Sequence, residues 1–317
     1  MGRYIVHRLI LLVPTLLGIS VLVFVLLRLL PGNVVDVFVG HEAVVSQAQR
    51  QALYHRFGLD APISVQYLRW LAGIGHGDLG LSLRTGQPVM RDILDRLAVT
   101  AELTVLSACL AWLIAIPLGV LAAVRRSGGV DLAAHMIALI GLTVPSFWLA
   151  TLLLLVTSVY LRWQPSPIWV SPFESPGTNA QQMILPVLSL SAALTAGVMR
   201  MMRSSLLDVL GAEYVRTARA KGLAGAAILA RHALRNAAIP VITVQGIQVG
   251  YLLGGAVVIE QVYGLPGLGW EILNGIYQRD YPLVQAGVLC VAVGFVLVNL
   301  LVDVVYAYVD PRIRYDG

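Results

Sequence analysis

The chain has 317 residues, 22 of them basic and 17 acidic, so 12% are charged against the ~25% usual for a soluble domain, while 58% are hydrophobic and mean hydropathy is +0.79. This excludes an ordinary soluble fold and predicts a polytopic all-α membrane protein, because the apolar residues gather in uncharged runs close to the ~20 residues that cross a bilayer. The net charge of +5 comes from Arg beside those runs, Lys221 being the only Lys, which is a topology signal rather than a nucleic-acid footprint.

Six uncharged runs predict six transmembrane helices, over residues 9–27, 103–124, 136–161, 184–199, 237–259 and 281–302. The first lacks a small-residue cleavage site before Pro31-Gly32 and is expected to stay as an anchor spanning 1–30. The third is long enough to tilt or to kink near Pro145, and the fourth, being short, is expected to borrow residues 181–183. Cys109 and Cys290 lie inside apolar runs and read as buried free thiols.

Orientation follows the basic residues of the short loops. With the N-terminus inside, thirteen basic residues are cytoplasmic, including Arg125, Arg126 and seven over 200–235, whereas the short outer connections carry only Arg162 and Arg279. Both termini are therefore expected in the cytoplasm. Residues 31–97 form a long outer segment, expected to be a small extracytoplasmic subdomain with amphipathic helices over 44–56 and 64–74 and a Gly-rich turn over 73–80. His76 and Asp78 in that turn are too few to hold a metal, and Asp78 reads as a turn cap. Residues 98–317 would then hold the other five helices.

The cytoplasmic loop 204–236 is the most informative segment. Residues 204–210 can continue the fourth helix, Gly211-Ala212-Glu213 marks a break, and residues 214–221 have helical propensity that Gly222 should end. A second short helix over 224–234 precedes membrane re-entry at 236–240. A solvated basic loop is the plain alternative, but Ala218 and Ala220 interleaved with Arg and Lys suit insertion of a helix into a partner's groove.

Glu213-Tyr-Val-Arg-Thr-Ala-Arg-Ala-Lys-Gly222, followed by His232-Ala-Leu-Arg-Asn-Ala-Ala-Ile-Pro240, resembles the EAA loop of binding-protein-dependent ABC importer permeases of the dipeptide, oligopeptide and nickel branch. The resemblance extends to Gly77-Asp78-Leu-Gly80 with Ser82, to Thr143-Val-Pro145-Ser-Phe147, to Glu260-Gln-Val-Tyr-Gly264-Leu-Pro266-Gly267-Leu-Gly269 and to Asp310-Pro311-Arg312. It implies a type I importer permease fold in the inner membrane. The loop around Gly222 would dock on an ATPase subunit through Glu213, Tyr214, Thr217, Ala218, Ala220, Lys221 and Gly222. Implied partners are a second homologous permease subunit, two ABC ATPase subunits that bind ATP and Mg, and an extracytoplasmic substrate-binding protein. Arg216 stands where the broader family has Glu and Arg235 where it has Pro, departures that agree with the peptide and nickel branch.

The membrane helices offer a substrate only uncharged groups. Thr243, Gln245 and Gln248 on the fifth helix, with Ser146 on the third, are candidates for the substrate pathway, although glycines and amides at helical spacing equally suit helix packing. Arg28, Glu102 and Asp303 are expected at helix ends. The glycines and proline of 264–269 disfavour a continuous helix, so Glu260, Gly264, Pro266, Gly267 and Gly269 are candidates for an external gate or binding-protein contact. No GxxxxGK[ST] or HExxH occurs, so the chain is expected to carry no ATPase or catalytic site and no cofactor of its own. The expected function is half of an ATP-driven pathway for di- or oligopeptides. Nickel or another small solute is the competing cargo, and an ATP-independent carrier the competing class.

Overall fold

The computed structural model describes residues 2–29, 32, 35–36 and 46–309, with backbone alone at 2–9, 56, 255 and 306–309. Asp310-Pro311-Arg312, Arg314 and the start of the 44–56 helix lie outside the described residues. In chain order the helices are α1 Gly2–Leu29, α2 Gln47–Arg56, α3 Ile63–Gly75, α4 Val89–Val124, α5 Gly129–Thr143, α6 Ser146–Tyr160, α7 Pro176–Leu210, α8 Glu213–Ala220, α9 Gly225–Ile228, α10 Leu234–Gly255, α11 Val257–Tyr263, α12 Leu268–Tyr277 and α13 Tyr281–Val309.

Among the described residues five helical runs are long and apolar enough to span a bilayer, and α5 with α6 makes a sixth that is bent by 98°. The bend follows from one residue. Pro145 pushes Val144 out of the helical region to ψ 119° and cannot itself continue α5, so residues 136–161 form two helices and not one tilted span. Glu102, expected at a helix end, sits inside the continuous α4, where its carboxylate accepts from Trp169 Nε1 at 3.0 Å. Cys109 is exposed rather than buried, and Cys290 is intermediate. Large apolar side chains such as Leu113, Leu139 and Ile140 also point outward, the inside-out surface expected of a chain solvated by lipid.

The chain divides into two compact units. The first joins 101–265 to the end of α13, and α7 is its axis, packed against α5, α6 and α10. At 35 residues α7 is about 50 Å long, more than a hydrocarbon core is thick, and it runs through 204–210 as the expected continuation of the fourth helix. Its core is built from small and flexible side chains: Ala115, Ala122, Ala196, Ala233 and Ala237 with Met199, Met202 and Leu206. A bidentate pair, Arg203 Nε and Nη2 with the Asp131 carboxylate at 2.6 and 2.8 Å, ties α7 to α5, and the Ser127 N–H adds a third bond at 3.0 Å.

The tightest approach to backbone in this unit is at Gly119 of α4, where a Cβ would lie 2.8 Å from the Met199 carbonyl oxygen and 2.9 Å from Met202 Cβ. Backbone cannot step aside as a side-chain end can. Gly119→Leu is therefore expected to cost at least the ~1–3 kcal/mol of an overpacked core and to lower the thermal unfolding midpoint of the purified protein. Gly119→Ala should fall between the two, and a midpoint unchanged in the Leu variant would refute this contact.

The second unit joins 2–100 to Pro266–Gly294. Val89 and Ile93 of α4 pack with Leu268, Leu283 and Ala286, and Val23 and Leu27 of α1 with Tyr281 and Val284. The outer segment thus shares its core with α1, α12 and the start of α13. Ser46 caps α2 in a capping box with Gln49, and Asp78 Oδ1 accepts from the Gly80 N–H at 2.8 Å, the turn cap expected. Ser82 Oγ and the Leu83 N–H both reach the buried Asp280 carboxylate, which holds the loop before α4 to the α12–α13 corner.

Candidate functional site

The loop at the inner end of α7 is built as a turn, a helix and a second turn. The α7 helix stops at Leu210, Gly211-Ala212 redirects the chain, and α8 begins at Glu213, whose Oε1 accepts from Arg216 Nη1 at 2.7 Å across an exposed turn. Val215 is fully buried and anchors the helix, with Ala218 half-buried one turn on. Glu213, Tyr214, Thr217, Ala220, Lys221 and Gly222 are all exposed. The predicted docking residues therefore share an outward surface, and Ala218 sits at its edge.

Gly222 ends α8 in a left-handed conformation at φ 79°, with its N–H on the Arg219 carbonyl at 2.9 Å and the Leu223 N–H on the Ala218 carbonyl at 3.3 Å. Those two bonds define a Schellman cap. The cap presents Leu223, 44% exposed, at the tip beside Lys221; this exposed apolar residue was not among the sequence candidates, and its only sequence signal is its place after the capping glycine.

The second helix of the loop differs from expectation. The α9 turn runs through a π turn, Leu229–Ala233, directly into α10, so the chain re-enters the membrane on one helical run and not on a separate helix over 224–234. The π turn places one extra residue in the turn, which rotates Arg231 and His232 outward while Ile228 and Ala233 stay buried. Asn236 Nδ2 then donates to the Tyr214 hydroxyl at 2.9 Å, joining α8 to the start of α10.

In the membrane the four pathway candidates separate. Gln245 and Gln248 share the face of α10 that carries Ala237 and Val241 against α7. Gln248 Nε2 lies 2.8 Å from where a Gly197 Cβ would be, and Gln245 is 2% exposed with neither amide atom hydrogen-bonded. Thr243 lies elsewhere on the helix, and its hydroxyl donates to the Ile239 carbonyl of its own helix at 3.2 Å. Ser146 opens α6 and lines a cavity of about 460 Å³ in the α5–α6 bend. Ser189, Ser191 and Thr195 of α7, which sequence reasoning missed, line it too, each donating to a carbonyl of its own helix and keeping acceptor lone pairs.

The gate candidates occupy two helix ends. Glu260 is fully buried in α11, and Gly264 closes that helix at φ 69° with a second Schellman pair, Leu265 N–H to Glu260 carbonyl at 2.8 Å and Gly264 N–H to Gln261 carbonyl at 3.3 Å. Tyr263 shares its hydroxyl between Ser189 Oγ at 3.0 Å and the Ala150 carbonyl at 3.1 Å, fixing α11 to α7 and α6. On the other side, Gly267 caps α12 and Gly269 is buried in its first turn. Thr100 Oγ1 takes the Leu268 N–H at 2.8 Å, and Arg96 Nη1 donates to the Pro266 carbonyl at 3.4 Å. Arg96 and Thr100 carry no sequence signal for this role, standing about 170 residues from the loop they hold.

Residues 115–315 match the family described as the binding-protein-dependent transport system inner membrane component, and residues 1–104 match the N-terminal part of such membrane components. The chain belongs to that family. This inner membrane component is 40% identical over 338 residues to the dipeptide transport system permease protein DppB of Escherichia coli (strain K12), with 99% of both chains covered. It is 40% identical to the oligopeptide transport system permease protein AppB of Bacillus subtilis (strain 168), covering 99% of this chain and 100% of that one. It is 41% identical to the glutathione transport system permease protein GsiC of Salmonella paratyphi A, with the same coverage. The MetNI methionine ABC transporter, solved in inward facing conformations, shares the fold at a TM-score of 0.55 and 20% identity, over 70% of this chain and 97% of that one. The permease is a multi-pass protein of the inner membrane.

Proposed function

We propose that this permease is one of two membrane subunits of an ATP-driven ABC importer that passes di- or oligopeptides delivered by an extracytoplasmic binding protein. The observation that carries the reading is α8: a mostly exposed helix beyond the end of α7, anchored by Val215 and closed by the Gly222 cap, with polar, small and cationic groups outward. Such an element suits a groove on an ATPase subunit, and ATP with Mg would be bound by that partner. Closure of two ATPases would push the paired α8 helices together, and Asn236–Tyr214 would carry the movement to α10. A similar but distinct second permease is the expected partner. Uncharged hydroxyls lining the α5–α6 cavity, with lone pairs open, suit the N–H groups of a peptide better than a metal ion.

Co-purification in mild detergent should recover a second permease and ATPase subunits, and the ligand held by the soluble binding protein identifies the cargo. Reconstituted transport should stop when ATP hydrolysis is blocked while the ion gradient is kept. Continued transport under that block would assign the chain to a gradient-driven carrier.

A further inference from the structure

The unit formed by 2–100 and Pro266–Gly294 contains a cavity of about 200 Å³ between the last turn of α1, α3 and the first turns of α13. Its charged side chains, Arg28 and Arg69, are both cations. Arg28 is fixed by Nε and Nη2 on Gln66 Oε1 at 3.2 and 2.8 Å and by Nη1 on the Phe24 carbonyl at 3.1 Å. Its guanidinium lies flat over the Phe24 ring, 3.3 Å from the centroid, and 5.5 Å from that of Tyr281. Among the described residues no carboxylate lines the cavity. Of the acids close by, Asp36 pairs with Arg50, and Asp280 with Ser82 and Leu83.

Three further donors belong to residues of this wall and have no partner among the described residues: Arg69, which is exposed, and the buried Trp70 Nε1 and Gln285 Nε2. Gln285 is 2% exposed, so its unsatisfied N–H₂ is costly unless something accepts from it. Of the amide oxygens in the wall, Gln66 Oε1 is taken by Arg28, while Gln66 Nε2 donates to the Ala61 carbonyl at 2.8 Å. Two guanidinium groups, an indole N–H and an amide N–H₂ around one small space make a complement to an oxyanion, which offers acceptors and negative charge together.

The depth of the site narrows the chemistry. Arg28 lies in the last turn of the first span, Ile10–Leu29, and Tyr281 and Gln285 in the first turns of the last, Tyr281–Val305. Both positions are at the ends opposite the Arg-rich loops, where the outer headgroup layer meets water. We propose that this cavity is a phosphate-class oxyanion site at the outer membrane–water boundary, with Arg28 and Arg69 supplying charge, Trp70 and Gln285 supplying directed hydrogen bonds, and the phosphate of an outer-leaflet phospholipid or a free phosphate as occupant. The plainer alternative is that both arginines only snorkel to water.

The full chain, purified in detergent, separates the cases. Retained phospholipid is measured by mass spectrometry, and inorganic phosphate is titrated calorimetrically into delipidated protein. Arg69→Gln changes an exposed residue and Gln285→Leu keeps side-chain volume; each is expected to lower retention or phosphate affinity about tenfold, whereas Arg91→Gln, the same charge change elsewhere in the outer segment, should not. Phospholipid lost in both variants assigns the site to a headgroup. Saturable phosphate binding weakened in both, with no lipid retained, assigns it to the free ion. Either result supports the site. Equal behaviour of the parent chain, both variants and Arg91→Gln would overturn it, as would binding of neither probe.

Discussion

Gly222→Val is expected to abolish coupled transport while leaving membrane insertion and expression unchanged. Gly222 sits at φ 79°, a conformation that a β-branched residue adopts only at a cost of about 1–3 kcal/mol. A Cβ at Gly222 meets no atom within 4 Å, so the penalty is one of backbone conformation and not of collision. The cheapest relief is to rotate the residue out of the left-handed region, which breaks the bonds from Gly222 to Arg219 and from Leu223 to Ala218. Lys221 and Leu223 would then point away from the surface formed by α8, and the entry angle into α9 would change. The rest of the protein should be indifferent, because Val215 still anchors α8 and the Tyr214–Asn236 bond lies at the far end.

The series at this position separates conformation from size. Asn tolerates the left-handed region, so Gly222→Asn should retain most activity, Gly222→Ala less and Gly222→Val least. ATP hydrolysis and substrate uptake are measured together on the reconstituted complex, and hydrolysis that continues without uptake is the expected signature in the Val variant. Wild-type transport by Gly222→Val at equal expression would remove Gly222 from the coupling mechanism.

Lys221→Glu is expected to weaken retention of the ATPase subunits about tenfold, and Arg126→Glu to leave it unchanged. Lys221 is the last residue before the capping glycine of α8, where a cation complements the negative end of the helix by ~0.3–1 kcal/mol and faces outward beside Leu223. Reversal replaces that attraction with repulsion and adds a like-for-unlike change at the partner contact; a loss of ~1.4 kcal/mol is a factor of ten in affinity. Arg126 lies in the turn before α5, whose structural role is carried by the Ser127 N–H on Asp131 and not by the Arg126 side chain. Its charge serves orientation. The amount of ATPase that co-purifies with each variant, at matched permease levels, is the measurement. Equal retention would reduce Lys221 to one more topological charge.

Much of the docking loop was legible beforehand for a local reason. A break at Gly211, a helix to Lys221 and a stop at Gly222 are decided within a few residues of chain, by capping chemistry and by the one residue type that takes φ above zero without strain. The short helix expected over 224–234 was misjudged because Asn236 and Pro240 suggested a boundary, whereas the π turn at 229–233 absorbs the irregularity and Pro240 is accommodated inside α10. The gate segment shows a similar limit. Its glycines marked the break between α11 and α12, but not that Leu265 and Leu268 beside them would be packed away at 1% exposure each.

The sequence by itself determined that this is a multi-pass membrane protein and where its apolar spans fall, because hydropathy acts along the chain. Only the tertiary structure decided which faces of those spans meet. In water, an apolar stripe marks the buried side of a helix; in a bilayer the lipid-facing and protein-facing sides are both apolar, so the pattern has no direction. Hence Gln245 and Gln248 could be read toward a pore or toward a neighbour, and packing turned them onto α7, with Thr243 elsewhere on the helix. The same reason hid the outer cavity. Arg28, Arg69 and Gln285 are unremarkable where each stands in the chain, and the donor-lined space arises only where α1, α3 and α13 come together.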